Sequence, residues 1–284
     1  GSTGNPAACV YPEREMAAGE MQRIARELKG FVSEVVFCRP VAGAAAPAYA
    51  LRYFSSECEV EFCGHGTIAC LYDLFAGTPA LAGREEVALH TRKGVLAGYN
   101  RLAAADAVFI QAPAAERKER ALSPGQVAEA LEIPAARMDA RHPIDCINAG
   151  LDTLIVPIDS LSQTVEMRPA SEPLRRFCQA HGIDIVTVFT PEVTDPARLV
   201  RTRVFAPRFG YLEDPATGSG NSALGYYLLE NRLWGGGPMA IEQGPSLEAP
   251  NLVRLESLPD GAGGRRVLFG GGATARIEGE YLLG

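Results

Sequence analysis

A glycine-rich stretch occurs twice in this chain, and the recurrence limits what the chain can fold into. Gly64-His65-Gly66-Thr67-Ile68-Ala69-Cys70-Leu71-Tyr72 can be laid on Gly218-Ser219-Gly220-Asn221-Ser222-Ala223-Leu224-Gly225-Tyr226, with G-x-G and a tyrosine in common. Both read as small-residue helices, one ending by Gly77 and the other near Leu233. Several short strands surround each. A period far longer than a solenoid unit points to a duplicated domain rather than an array. The length of 284 residues allows about two domains.

The rest of the pattern fits two halves. From Glu13 to Lys29, Met21, Ile24, Ala25 and Leu28 fall at i, i+3, i+4 and i+7, and Gly30 follows where a helix ends. Phe31 to Cys38 is a β-type run closing at Pro40, with Tyr49 to Phe54 as its hairpin partner. Val87–Leu89, Val95–Tyr99 and Ala107–Gln111 read as further strands, ending at Pro113. In the second half Ser123-Pro124 supplies an N-cap and an N1 proline for a helix through Val127, Ala130 and Leu131. Ser171 to Ala180 is helical, with Leu174, Phe177 and Cys178 on one face. Strands are expected at Ile144–Asn148, Thr153–Pro157, Ile185–Phe189, Thr202–Phe205, Met239–Glu242, Val253–Glu256, Arg266–Phe269 and Ala275–Ile277.

Composition excludes several classes. With 47% apolar and 21% charged residues the chain is neither disordered, collagenous nor a coiled coil. A net charge of −7 without a basic run argues against nucleic acid or an anionic membrane as partner, though a local cationic pocket could hold a small acid. Nothing approaches the roughly 18 uninterrupted apolar residues of a membrane span. The start, Gly1-Ser2-Thr3-Gly4, carries no signal peptide. Seven cysteines, an odd number with no C-x-x-C spacing, read as reduced thiols in a cytoplasmic protein. Four histidines without H-E-x-x-H give no sequence signature of a metal site.

Three places carry ionisable groups in suggestive settings. Glu34 shares a strand face with Val32, Val36 and Cys38, while Phe31, Ser33, Val35 and Phe37 occupy the other. Burial on two apolar faces would raise its carboxyl pKa toward neutrality, as a general acid/base requires. An edge position or a salt bridge to arginine is the structural alternative. Glu61 to Thr67 joins a polar turn to a helix start, where unpaired N–H groups and the dipole favour anions and activate a cysteine. Cys63 and His65 lie there; the bland reading is a glycine turn with a buried thiol and a hydrogen-bonded imidazole. Glu213 to Gly220 repeats the arrangement, although Asp214 and Thr217 could be no more than caps. The glycines of this second stretch do not spell the dinucleotide-binding G-x-G-x-x-G.

Taken together, these blocks resemble a known family. Gly4-Asn5-Pro6-Ala7-Ala8, Met21-Gln22-x-Ile24-Ala25-Arg26-Glu27, Ser33-Glu34-x-x-Phe37, Arg52-Tyr53-Phe54, Cys63-Gly64-His65-Gly66-Thr67, Phe205-Ala206-Pro207, Glu213-Asp214-Pro215-Ala216-Thr217-Gly218-Ser219 and Gln243-Gly244 occur in the order found in the phenazine-biosynthesis (PhzF-like) family. The resemblance covers essentially the whole chain. It implies an α+β, diaminopimelate-epimerase-like fold: two pseudo-symmetric lobes, each a curled, mostly antiparallel sheet wrapped around a central helix, with the active site in the cleft between helix N-termini. The lobes are expected at 1–116, completed by 271–284, and at 117–270.

The resemblance also assigns residues. Glu34 matches the family's proton-shuttling glutamate, and His65 and Asp214 match its polar partners around the substrate. Ser33, Gly64, Gly218 and Ser219 match substrate contacts. Cys63 matches one thiol of the true epimerases, but Asp214-Pro215-Ala216-Thr217 stands where their second thiol would be, which counts against two-thiol racemisation. Glu248-Ala249-Pro250-Asn251 replaces the family's frequent G-R-P-S segment, and specificity could differ with it. The family usually starts with a β-strand before G-N-P, whereas here Gly4 follows almost directly on the first residue; either that strand is missing from this chain or the chain enters the fold differently.

The implied function is a cofactor-independent and metal-free isomerase that moves a proton within a small unsaturated amino or hydroxy acid, resembling dihydro-hydroxyanthranilate isomerisation. The substrate would bear a carboxylate, and a homodimer is the assembly the family suggests. The alternatives are a Cys63-dependent amino-acid epimerase and a non-catalytic small-ligand-binding protein.

Overall fold

The computed structural model describes residues 4–261 and 263–283. Gly1 to Thr3, on which the expectation about a signal peptide partly falls, lie outside the described residues. The chain separates into two compact units, one of Pro6–Phe109 with the segment from Gly271 onward, the other of Ile110–Gly270 with the residues up to Asn5.

In order, the first stretch of chain forms β1 (Ala7–Val10), α1 (Ala18–Glu27), β2 (Glu34–Pro40), β3 (Ala48–Ser55), β4 (Glu59–Val60), α2 (Gly64–Gly77), β5 (Glu86–Thr91), β6 (Gly94–Asn100), α3 (Leu102–Ala105) and β7 (Val108–Gln111). Then follow β8 (Glu116–Arg117), α4 (Pro124–Ala130), β9 (Asp145–Asn148), β10 (Asp152–Pro157), α5 (Leu161–Glu166), α6 (Ser171–His181), β11 (Ile185–Thr190), β12 (Arg201–Phe205), β13 (Glu213–Asp214), α7 (Gly218–Glu230), β14 (Met239–Gln243), β15 (Asn251–Pro259) and β16 (Arg265–Gly271). The division between units falls inside β7, ahead of the expected 116/117 boundary. Just past β7 the Ala112 N–H already donates to the Val267 carbonyl at 2.9 Å, which ties the chain into the second unit's sheet.

The duplication extends far beyond the glycine stretch. In the first unit β1 pairs parallel with β2, β2 antiparallel with β3, β3 parallel with β5, and β5 antiparallel with β6. In the second, β10 pairs parallel with β11, β11 antiparallel with β12, β12 parallel with β14, and β14 antiparallel with β15. A parallel pair needs a crossover, and in both units a helix provides it. α2 carries the chain from β3 to β5, and α7 carries it from β12 to β14. Even the two-residue strands correspond: β4 pairs back on β3 just before α2, as β13 pairs back on β12 just before α7. The expected α+β class, a mostly antiparallel sheet about a central helix occurring twice, is what the structure has.

Small residues let these helices be central. α7 is buried without a break from Gly220 to Leu228, so it has no solvent face and little amphipathic character. A Cβ on Gly225 would lie 3.0 Å from Val267 and 3.1 Å from Leu255, so β15 and β16 approach the bare backbone there. α1, in contrast, is amphipathic and buries Met21, Ile24 and Ala25. It begins at Ala18 rather than Glu13, because the Glu20 carboxylate accepts the Ala17 N–H at 2.8 Å and fixes the first turn.

Other departures have local causes. The strand expected from Phe31 starts only at Glu34: the N–H groups of Phe31 and Val32 return to the Leu28 carbonyl, and Phe31 is left 72% exposed. No strand forms at Ala275–Ile277, where Ile277 is 88% exposed; the tail instead reaches α1 through Tyr281, whose hydroxyl donates to Glu27. β1, α5 and the two-residue strands β4, β8 and β13 are too short to announce themselves by periodicity. All seven cysteines are unpaired. Among the described residues, no helix is long and apolar enough to cross a membrane.

Candidate active site

In the first unit the start of β2 meets the start of α2. The β1–β2–β3 register sets Glu34 opposite Ala7 on one side and Ser55 on the other. Cys63, in extended backbone, is the N-cap of α2, and no side chain caps this helix. A Cβ at Gly66 would lie 2.6 Å from Val36 Cγ2 and 3.0 Å from Cys63 Sγ. The first turn of α2 therefore rests directly on β2. Thr67 holds the turn from within: its hydroxyl donates to the Cys63 carbonyl at 2.7 Å and meets the buried Tyr53 hydroxyl at 2.8 Å.

This packing assembles Ser33, Glu34, Cys63, Gly64 and His65. His65 Nε2 lies 3.2 Å from Glu34 Oε2 and 3.2 Å from Ser33 Oγ. Cys63 Sγ lies 3.5 Å from His65 Nδ1 and 3.7 Å from Nε2. Ser33 Oγ also reaches the Pro6 carbonyl, at 3.4 Å.

The electrostatics correct one expectation from the sequence. Burial pushes the Glu34 carboxyl up, as the two apolar faces suggested, but hydrogen bonds from His65 and Ser33 and the charge of His65 outweigh it, and its pKa falls below the ordinary glutamate value. Glu34 is the first residue of its strand and keeps a quarter of its side chain exposed, so the desolvation is incomplete. For His65 burial alone would lower the pKa; the charges and hydrogen bonds of Cys63 and Glu34 overcome it and raise the pKa to about 10. Both shifts favour a carboxylate beside an imidazolium.

The second unit builds the matching corner differently. Asp214, in β13, accepts the Asn5 side-chain amide at 3.2 Å and the Ala216 N–H at 3.3 Å through Oδ1. Thr217 is the N-cap of α7, with Gly218 and Ser219 in the first turn and, again, no capping side chain. A Cβ on Gly218 would come within 2.3 Å of the Phe269 ring, so only glycine fits. The structure thus brings together Ser33, Glu34, Cys63, Gly64 and His65 on one unit, and Asp214, Gly218 and Ser219 on the other.

Sequence reasoning assigned no role to the residues behind Asp214. Gln243, wholly buried at the end of β14, donates to the Asp214 carbonyl at 2.7 Å and to Thr217 Oγ1 at 3.1 Å. Its Oε1 accepts the Thr217 N–H at 3.1 Å and the Asn221 amide at 2.7 Å. Asn221 returns to the Thr217 carbonyl as Thr67 returns to that of Cys63, so the repeat aligns equivalent positions. That equivalence was the available signal. Gly66→Ala is expected to lift α2 off β2 and cost about 1–3 kcal/mol, the usual range for overpacking; urea unfolding measures it, and an unchanged midpoint would show that Val36 simply moves aside.

Comparison with known proteins places this architecture. It matches the crystal structure of a phenazine biosynthesis protein from Bacillus anthracis with a TM-score of 0.82 over 99% of this chain and 94% of the other, at 23% identity. The two chains therefore share one fold. The family model described as "Phenazine biosynthesis-like protein" matches residues 2–279, and the chain belongs to that family. Its relatives include an uncharacterized isomerase of Clostridium acetobutylicum, 26% identical over 99% of this chain and 94% of the relative. Another is the trans-2,3-dihydro-3-hydroxyanthranilate isomerase of Pseudomonas fluorescens, 28% identical over 88% of this chain and 84% of the relative. The protein is an enzyme of the isomerase kind.

Proposed function

We propose that this enzyme, without a cofactor, shifts a proton between two carbons of a small unsaturated amino or hydroxy acid, with Glu34 carrying the proton. The observation that carries the reading is the Glu34–His65 pair at 3.2 Å, set at the uncapped start of α2. A carboxylate held in the charged form is ready to take a proton. The neighbouring imidazolium stabilises that charge before transfer and can donate a hydrogen bond to a developing oxyanion afterwards. Orphan N–H groups at the starts of α2 and α7 suit a substrate carboxylate. Asp214 is the second polar partner in this reading, and Ser33, Gly64, Gly218 and Ser219 contact the substrate.

A 1,3-shift needs one group reaching two carbons on one face, and Glu34 suffices. An epimerase needs bases on opposite faces, and the counterpart of Cys63 in the second half is Thr217, not a thiol. The substrate class named by the Pseudomonas fluorescens relative, a dihydro-hydroxyanthranilate, is the first to try. Small unsaturated carboxylic acids incubated with the enzyme in D₂O should include at least one that gains mass by exchange. Cys63→Ser is expected to retain most of that exchange, measured by the same mass shift; its abolition by Cys63→Ser, with Glu34→Gln tolerated, would replace this reading with a Cys63-dependent epimerase.

A further inference from the structure

The wholly buried Gln243 makes four hydrogen bonds, two donated and two accepted, and all go to the start of α7 or to the strand just before it. We infer that Gln243 is a positioning residue: it draws the Thr217 hydroxyl away from the start of α7, so that the Ser219 and Gly220 N–H groups stay free for the substrate's carboxylate. The inference rests on the proposal above that this helix start receives that carboxylate.

A threonine at an N-cap ordinarily turns its oxygen to the N–H of the second or third helical residue, here Ser219 or Gly220. Thr217 holds that position in extended backbone, yet its side chain caps nothing. Its Oγ1 accepts instead from Gln243 Nε2, at 3.1 Å. In a capping box the third helical residue is a glutamate or glutamine that accepts the N-cap N–H. Here that residue is Gly220, without a side chain, and Gln243 Oε1 takes the Thr217 N–H at 3.1 Å from another strand. The same oxygen accepts the Asn221 amide at 2.7 Å, and this fixes how the Gln243 amide faces, since the opposite orientation would set its NH₂ against two donors. Donation to the Asp214 carbonyl at 2.7 Å ties Asp214 to the same anchor. The helix is thus held by its N-cap N–H while the cap hydroxyl is withdrawn. α2 reaches the uncapped state more simply, because its N-cap is Cys63, whose sulfur is a weak acceptor.

The test reads binding, not turnover, so it is independent of whether Glu34 carries the proton. The ¹⁵N-labelled full chain titrated with sodium benzoate, a plain carboxylate probe, should show saturable NMR shifts of the Ser219 and Gly220 amide signals. Gln243→Met, similar in size but unable to make these bonds, frees the Thr217 hydroxyl to turn onto the helix end. Benzoate affinity should then fall about fivefold, the ratio equivalent to a typical N-cap bond. Removing the competing hydroxyl as well, in Gln243→Met/Thr217→Val, should return the affinity to within about twofold of wild type. Thr217→Val alone should bind benzoate as the wild type does, and it keeps the inference testable if Gln243→Met fails to fold by circular dichroism. Undiminished binding in Gln243→Met, a loss that Thr217→Val does not recover, or weaker binding in Thr217→Val alone overturns the role of Gln243 and leaves the carboxylate reading of α7 standing. A wild type whose Ser219 and Gly220 signals ignore benzoate overturns both.

Discussion

Glu34→Gln is expected to lower turnover at least about 100-fold, the lower end of what a positioned acid or base contributes. The amide is nearly isosteric and Glu34 opens its strand, so β2 should form unchanged and substrate should still bind. What disappears is the charge. His65 loses one of the groups that raise its pKa, and its imidazolium becomes less favoured. Two measurements separate chemistry from folding: the deuterium-exchange rate with a responsive substrate, and the histidine titration followed by NMR. A variant that turns over near the wild-type rate reduces Glu34 to a structural partner of His65.

The largest stability effect should come from a buried ion pair in the second unit. Arg201 on β12 and Glu242 on β14 face each other in parallel register, 0% and 1% exposed, with Nη1 and Oε2 2.9 Å apart. Further hydrogen bonds hold both groups. Arg201 also donates to the carbonyls of Gly244 and Ser246, and Glu242 accepts from Thr194 Oγ1 and from the N–H groups of Thr194 and Asp195. Glu242→Gln leaves a buried guanidinium without its counter-charge and should cost about 3–5 kcal/mol. That is a large part of the roughly 5–15 kcal/mol by which a domain is stable.

The acid side of the stability curve gives the same pair a second signature. Burial pushes the Glu242 carboxyl up, but its hydrogen bonds from Thr194, Asp195 and Arg201 pull it below the ordinary value of 4.5. A carboxyl depressed in the folded state stabilises fully above its unfolded pKa, and that contribution drains away as pH falls through the folded pKa. The wild type should therefore lose stability below about pH 4.5 more steeply than Glu242→Gln. Urea midpoints at pH 7 and across the acid range test both statements; parallel acid limbs and a cost under about 1 kcal/mol would show that the pair is solvated on opening.

Much of the architecture could be read from the sequence because it rests on local patterns. The amphipathic spacing of α1 marked the residues it buries, the Ser123-Pro124 start marked α4, and the G-x-G repeat marked the two central helices. Glu34, Cys63, His65, Asp214 and the glycines at the helix starts could be singled out as candidates for the same reason, since each lies in a short block with its own signature. Gln243 was harder. It belongs to a strand whose sequence says only that it is apolar on average, and its four hydrogen bonds all go to residues more than 20 positions away.

The sequence by itself determined that two helices rich in small residues would be wrapped by strands, because a backbone with few side chains can be buried on all sides only where other elements press against it. It also placed ionisable groups at the strand and helix starts. Tertiary structure decided what those groups are. Phe31 and Val32 turn back onto Leu28, so Glu34 opens its strand instead of lying deep within it. Gly66 lets α2 settle on β2, so His65 arrives 3.2 Å from the carboxylate. A pKa is set by the balance of desolvation against charges within a few ångströms. Strand periodicity reports only the first of these, and the second came from a helix some thirty residues along the chain.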